Sequence, residues 1–217
     1  MYKACIFDLD GTLTDTLESL TYSVNETLMK LGLPQITSEQ CKNFVGNGAR
    51  YLIARALEAS GDTGLSLIEK AMETYGQVFK KYCTYRVAPY EGIVELLQEL
   101  KESGVELAVL SNKPHLQTLD VVATYFEPGM FCYVQGQQEG IPRKPDPTAA
   151  RKIAEKMGVA PEECVYIGDS EVDIQTANAA GMESVGVTWG FRAKAILEEH
   201  GAKHIIDRPK ELISIMK

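Results

Sequence analysis

Residues 8 to 15 read Asp-Leu-Asp-Gly-Thr-Leu-Thr-Asp, directly after the apolar run Ala4-Cys5-Ile6-Phe7. Side chains alternate across a strand, so Asp8 and Asp10 point the same way while Leu9 points back to the core. Like charges that close raise each other's pKa unless a cation lies between them. A divalent metal relieves the conflict, and Mg²⁺, a hard ion that prefers oxygen ligands, fits best. Gly11 permits a tight turn, and Thr12 adds a hydroxyl and a backbone N–H beside the pair. Taken alone, the stretch also reads as an ordinary polar exit from a strand.

Three further stations follow. Val105 to Leu110 leads into Ser111-Asn112-Lys113-Pro114, Arg143-Lys144-Pro145-Asp146-Pro147 opens a helical pattern, and Cys164 to Ile167 leads into Gly168-Asp169-Ser170-Glu171-Val172-Asp173. Each has a bland reading in isolation. Lys144 is then a solvated lysine, Ser111 and Asn112 cap a helix, and Asp169 and Asp173 are an N-cap and a first-turn acid favoured by the helix dipole. Their joint order, at strand ends, argues for chemistry.

The elements that must position these groups are legible from periodicity. Residues 3–8 read as a strand. From Thr16 to about Tyr85 the patterns are helical, broken at Gly32-Leu33-Pro34, Gly46-Asn47-Gly48 and Gly61-Asp62-Thr63-Gly64. Leu17, Leu20, Val24, Leu28 and Leu31 recur at helical steps, and Leu52, Ile53, Ala56 and Leu57 repeat the pattern. This stretch predicts a small four-helix bundle inserted after the first strand. Beyond Pro89, helix and strand alternate: helix 93–100, strands 105–110, 131–134, 164–167 and 184–187, and a last short strand at 203–206. Asp146 caps the helix that starts at Pro147. Such alternation predicts an α/β fold with a doubly wound parallel sheet, whose ligands bind at the carboxyl ends of the strands.

Composition sets the outer bounds. The 217 residues, 45% hydrophobic and 24% charged, suit a soluble globular chain with one good core and room for a small module. A net charge of −8 with no basic block argues against nucleic acid as a partner. No apolar run approaches the roughly 20 residues that cross a bilayer. Nothing resembles an export signal, so a cytoplasmic location is expected. Five widely spaced cysteines with no CxxC pair read as free thiols in a reducing compartment. His115, His200 and His204 form no cluster.

The four stations, in this order and spacing, resemble the motif set of the haloacid dehalogenase superfamily, and the resemblance covers essentially the whole chain. It implies a Rossmann-like core at 1–14 and 87–217 with a helical cap at 15–86. It implies Asp8 as the nucleophile that forms an aspartyl-phosphate, and Asp10 as the acid–base that serves both half-reactions. Thr12, Ser111, Asn112 and Lys144 are the implied phosphate-binding groups, and Lys144 is also implied as the catalytic cation that neutralises Asp8. Mg²⁺ is the implied cofactor, held by Asp8, the Asp10 carbonyl and Asp169, with Asp173 a ligand or an anchor behind them. Dehalogenases and phosphoenzyme ATPases of the family lack the second acid, so Asp10 favours phosphate monoester hydrolysis.

The cap holds the clues to substrate. Phe44-Val45-Gly46-Asn47-Gly48-Ala49-Arg50 lies between two expected helices. Its glycines allow close backbone approach, Asn47 or Gly48 can open a helix that favours anions, and Arg50 adds a fork for a carboxylate. With Val187-Thr188-Trp189-Gly190-Phe191-Arg192, this stretch resembles the phosphoglycolate phosphatase-like branch. The expected partner is thus a small phosphorylated metabolite, most simply 2-phosphoglycolate, bound by a monomer or homodimer. A pyrophosphatase, a broad sugar-phosphate phosphatase, a hexose-phosphate mutase and a phosphate-sensing module without turnover remain alternatives.

Overall fold

The computed structural model describes residues 2–217. The chain opens with β1 (Ala4–Phe7), a short β2 (Thr14–Asp15) and four helices, α1 (Leu17–Lys30), α2 (Ser38–Phe44), α3 (Ala49–Ala59) and α4 (Ile68–Tyr82). It continues through β3 (Ala88–Pro89), α5 (Ile93–Glu102), β4 (Glu106–Pro114), α6 (His115–Tyr125), β5 (Tyr133–Gln137) and α7 (Thr148–Met157). The last elements are β6 (Cys164–Gly168), α8 (Glu171–Ala180), β7 (Glu183–Val187), α9 (Lys194–Glu199), β8 (His204–Ile206) and α10 (Leu212–Met216).

Six strands form one parallel sheet in the order β5-β4-β1-β6-β7-β8. β1 is central and buried on both faces, which is why its residues are uniformly apolar. Cys5, Phe7 and Leu9 face a layer containing Leu96, Leu97, Val121 and Leu212, contributed by α5, α6 and α10. Ala4 and Ile6 face the opposite layer, where Ala150, Ile153 and Ala177 of α7 and α8 pack. This is the doubly wound sheet that the alternation predicts.

α1 to α4 pack around their own apolar cluster, which includes Leu20, Val24, Leu28, Leu52, Ile53, Leu57, Tyr75 and Phe79. The antiparallel pairing of β2 with β3, Thr14 against Pro89 and Asp15 against Ala88, closes the base of this insertion.

β5, expected at 131–134, spans Tyr133–Gln137, and two further differences from expectation bear on the site. β4 runs on to Pro114, because its ladder with β5 resumes after an irregularity between Leu110 and Pro114. Ser111, Asn112 and Lys113 therefore lie in the strand's buried final stretch, not in a loop beyond it. α7 begins at Thr148, one residue after Pro147, with the Asp146 carboxylate accepting from the Thr148 N–H at 2.9 Å.

Leu97 is fully buried between α5 and the sheet. Leu97→Ala should cost about 2–5 kcal/mol of unfolding free energy in denaturant titrations, the range for emptying a core leucine site.

Candidate active site

β1 and β6 are hydrogen-bonded neighbours, so their carboxyl ends deliver Asp8 and Asp169 side by side, and the first turn of α8 adds Asp173. One carboxylate oxygen from each lies within 4.8 Å of the others, and all three residues are buried. Lys144 enters from the loop before α7, with its ammonium 2.9 Å from Asp8 Oδ1 and 2.6 Å from Asp173 Oδ1. Three carboxylates against one ammonium leave two negative charges in a buried site when all are ionised. Buried charge on that scale is strongly unfavourable without a partner.

Electrostatics express the imbalance. Burial first, then the negative charge of Asp173, push the Asp8 carboxyl up to about 7, against the opposing pull of Lys144. Asp169 is raised well above the usual carboxylate range by burial, then by Asp173 and Asp8. Burial works against the Lys144 ammonium, but Asp173 and Asp8 outweigh it and hold its pKa well above the ordinary lysine value.

The donor set fits a divalent cation. Asp8 Oδ1 is buried and, although Lys144 lies at ion-pair distance, no hydrogen bond is aimed at it. The Asp10 carbonyl oxygen accepts no backbone hydrogen bond among the described residues. Asp169 is held by two donors, the Thr12 hydroxyl at 3.1 Å on Oδ1 and the Phe191 N–H at 2.7 Å on Oδ2. Asp173 spends Oδ1 on Lys144 and Oδ2 on the Ser170 N–H and hydroxyl. That places Asp173 as the anchor of Lys144 more readily than as a ligand. All-oxygen ligation with two excess negative charges matches Mg²⁺.

Backbone glycines make room for this packing. A Cβ on Gly11 would lie 2.4 Å from Asp169 Oδ2, and one on Gly190 would lie 2.3 Å from Asp169 Cβ. The Trp189 indole N–H donates to the Thr12 carbonyl at 3.0 Å, tying the loop after β7 to the loop after β1.

Asp8, Asp10, Asp169 and Ser111 line one cavity of about 50 Å³ between the sheet and the helical insertion, with room for roughly three or four waters. Asp10 stands apart from the three-carboxylate cluster and pairs with Lys113 at 2.9 Å. The sequence carries no local signal for Lys113, which follows Ser111-Asn112, yet its side chain is 1% exposed.

Several expected roles shift. Thr12 is fully buried and commits its hydroxyl to Asp169, so it steadies that residue and does not line the cavity. Asn112 lines the cavity, but its side chain is fully employed: it donates to the carbonyls of Gly46 and Lys144 and accepts from the Lys144 N–H. It joins the insertion to the lysine loop.

The residues between α2 and α3 divide. Gly46 and Gly48 line the cavity, and Gly48, with φ 86°, caps α3. The Leu52 N–H bonds to the Gly48 carbonyl, leaving earlier N–H groups of α3 unpaired within the helix. Asn47 offers only its carbonyl, to Arg143 at 3.1 Å. Arg50 departs from expectation altogether. It lies one helical face away, half exposed, in an ion pair with Glu69 of α4. The arginine at the cavity is Arg192, held by Glu171 and by the carbonyls of Lys42 and Val45.

A family model described as haloacid dehalogenase-like hydrolase matches residues 5–187. A phosphoglycolate phosphatase of Haemophilus influenzae is 34% identical over 99% of this chain and 98% of its own length. Another from Pseudomonas putida is 31% identical over 97% of this chain and 78% of its own. Among solved structures, a candidate phosphoglycolate phosphatase from Lactobacillus delbrueckii subsp. bulgaricus superposes with a TM-score of 0.91 at 35% identity, covering 99% of this chain and 98% of that one. CbbY from Rhodobacter sphaeroides, solved with phosphate, gives 0.81 at 25% identity over 98% and 96%. The chain belongs to the haloacid dehalogenase-like hydrolases. Within them it is an enzyme of the phosphatase type, in the phosphoglycolate phosphatase-like branch.

The raised Asp8 pKa has a measurable consequence. The folded, metal-free chain keeps a proton on Asp8 at pH values where the unfolded chain, near 3.8, has lost it. This contribution to stability is full below that value and disappears as pH rises through about 7. A cation needs the ionised form, so the rise in Tm on adding Mg²⁺ should be larger at pH 8 than at pH 6. Equal shifts at both would remove Asp8 from the metal set.

Proposed function

We propose that the protein is a Mg²⁺-dependent phosphate monoester hydrolase that works through an aspartyl-phosphate at Asp8, with 2-phosphoglycolate as its substrate. The observation carrying this reading is the separation of two carboxylates on one cavity. Asp8 sits in the charged cluster, whereas Asp10 stands outside it on a lysine of its own.

The chemistry follows from that division. Asp8 attacks phosphorus as the bond to the leaving oxygen breaks, and Asp10 gives that oxygen its proton. Water then attacks the acyl-phosphate, Asp10 takes the water's proton, and the Asp8–phosphorus link breaks. Lys144 offsets charge on Asp8 and the phosphoryl oxygens, and Ser111 offers a hydroxyl at the cavity wall. Mg²⁺, held by Asp8, the Asp10 carbonyl and Asp169, would neutralise nucleophile and phosphoryl group together.

Residues 15–86 serve in this reading as a cap over a core of 1–14 and 87–217. Three core side chains reach its second loop: Asn112 donates to the Gly46 carbonyl, Arg143 to Asn47 and Arg192 to Lys42 and Val45. These contacts hold the insertion over the cavity that Asp8 and Asp10 line. The choice of 2-phosphoglycolate is supported by the names of the relatives. Five free cysteines, four of them buried, agree with a cytoplasmic setting. No helix among the described residues is long and apolar enough to cross a membrane.

Asp8→Asn should abolish phosphate release from every monoester in a panel assayed in Mg²⁺, while circular dichroism and Tm stay near wild type. Excess chelator should do the same reversibly. Near-normal turnover in either case rules out this mechanism. Arg50→Ala should leave KM for phosphoglycolate within about twofold, since its guanidinium pairs with Glu69 away from the cavity and an exposed ion pair contributes little.

A further inference from the structure

We propose that Lys113 is the specificity-determining residue, and that its ammonium binds an anionic group carried by the leaving alcohol one carbon from the ester oxygen. The proposal rests on the monoester-hydrolase reading and adds the residue that selects its substrate, the phosphate of a 2-hydroxycarboxylate.

A carboxylate entering this cavity meets a wall rich in acids, namely Asp8, Asp10 and Asp169, and needs a cation. Each other cation nearby is committed elsewhere. Lys144 is shared by Asp8 and Asp173. Arg192 is held by Glu171, 3.0 Å away, and by two backbone carbonyls at 3.0 and 2.6 Å. Arg50 faces away, on Glu69. Of the two cations that line the cavity, Arg192 and Lys113, only Lys113 lies against Asp10.

That partner fixes where the substrate must sit. A general acid has to lie within about 2.6–3.2 Å of the leaving oxygen, and Lys113 Nζ is 2.9 Å from Asp10 Oδ1. In 2-phosphoglycolate a single methylene separates the leaving oxygen from the carboxylate. With the ester oxygen at Asp10, the carboxylate comes within reach of the ammonium. An ammonium has three donors, so one can stay on Asp10 while another takes the substrate. The Phe79 ring of α4 lies over the ammonium, 4.7 Å from its centroid, and the side chain is almost wholly excluded from solvent. Exclusion of water strengthens an ammonium–carboxylate contact, and the same contact sets the leaving oxygen against its acid.

The test compares phosphoglycolate with ethyl phosphate, which carries a methyl group in place of the carboxylate. The quantity read is the ratio of their kcat/KM values. Lys113→Met should lower that ratio about ten- to a hundred-fold, the usual worth of a charge-assisted hydrogen bond, and Lys113→Arg should restore part of it. If both rates fall together and the ratio holds, Lys113 acts only on Asp10 and the proposal is overturned. A wild-type enzyme that does not prefer phosphoglycolate overturns it as well. Calorimetric binding of both esters to Asp8→Asn, with and without Lys113→Met, reads the same discrimination without turnover. Absence of all monoester turnover in wild type would therefore sink the hydrolase reading, while this binding ratio still decides the role of Lys113.

Discussion

The architecture of this protein turns on one electrostatic constraint: three carboxylates and one ammonium share a buried pocket where two parallel strands end. No sheet would gather them for stability, because the excess negative charge is a burden to the fold. The surroundings are arranged to carry it. Asp169 is gripped by a hydroxyl and a backbone N–H, Asp173 by Ser170 and Lys144, and glycines stand where any side chain would collide with Asp169. The sheet order is the other half of the solution. With β1 in the middle and β4 and β6 as its neighbours, Asp8, the Ser111 station and the acids Asp169 and Asp173 end on one edge. The topology does what a longer binding loop would otherwise have to do.

The helical insertion meets this charged edge through backbone atoms. The carbonyls of Lys42, Val45, Gly46 and Asn47 accept from Arg192, Asn112 and Arg143. Carbonyls cannot change identity with sequence, so the seat of the second loop is insensitive to its own side chains. Positive φ at Gly46 and Gly48 lets that backbone lie close to the core. Apolar groups then complete the roof: Leu20, Leu52, Tyr75 and Phe79 cover the cavity from the insertion side, and Phe191 from the core.

The sequence revealed most of this arrangement because its signals are local. An apolar run ending in Asp-x-Asp announces strand and site together, and helical steps of leucine announce the bundle. The failures share one physical cause, which is that side-chain direction at a single position is set by tertiary contacts. Arg50 and Arg192 are both arginines beside glycine turns, and nothing local distinguishes the one that salt-bridges outward from the one that faces the cavity. Thr12 illustrates the same limit, since its hydroxyl turns to an acid far along the chain. Lys113 is silent in the sequence because a polar Ser-Asn-Lys stretch after an apolar run gives no sign of burial. Only the closed sheet shows it buried against Asp10.

The two-rung ladder of β2 and β3 brings the points of departure and return of the helical insertion within one strand spacing. A segment whose ends meet in this way can be exchanged for another of different length without displacing Asp8, Lys144 or Asp169. The core thus behaves as a fixed engine with a standard socket. A different insertion can be grafted at Thr14–Asp15 and Ala88–Pro89, while Asp10 and Lys113 stay with the engine, beside β1 and on β4.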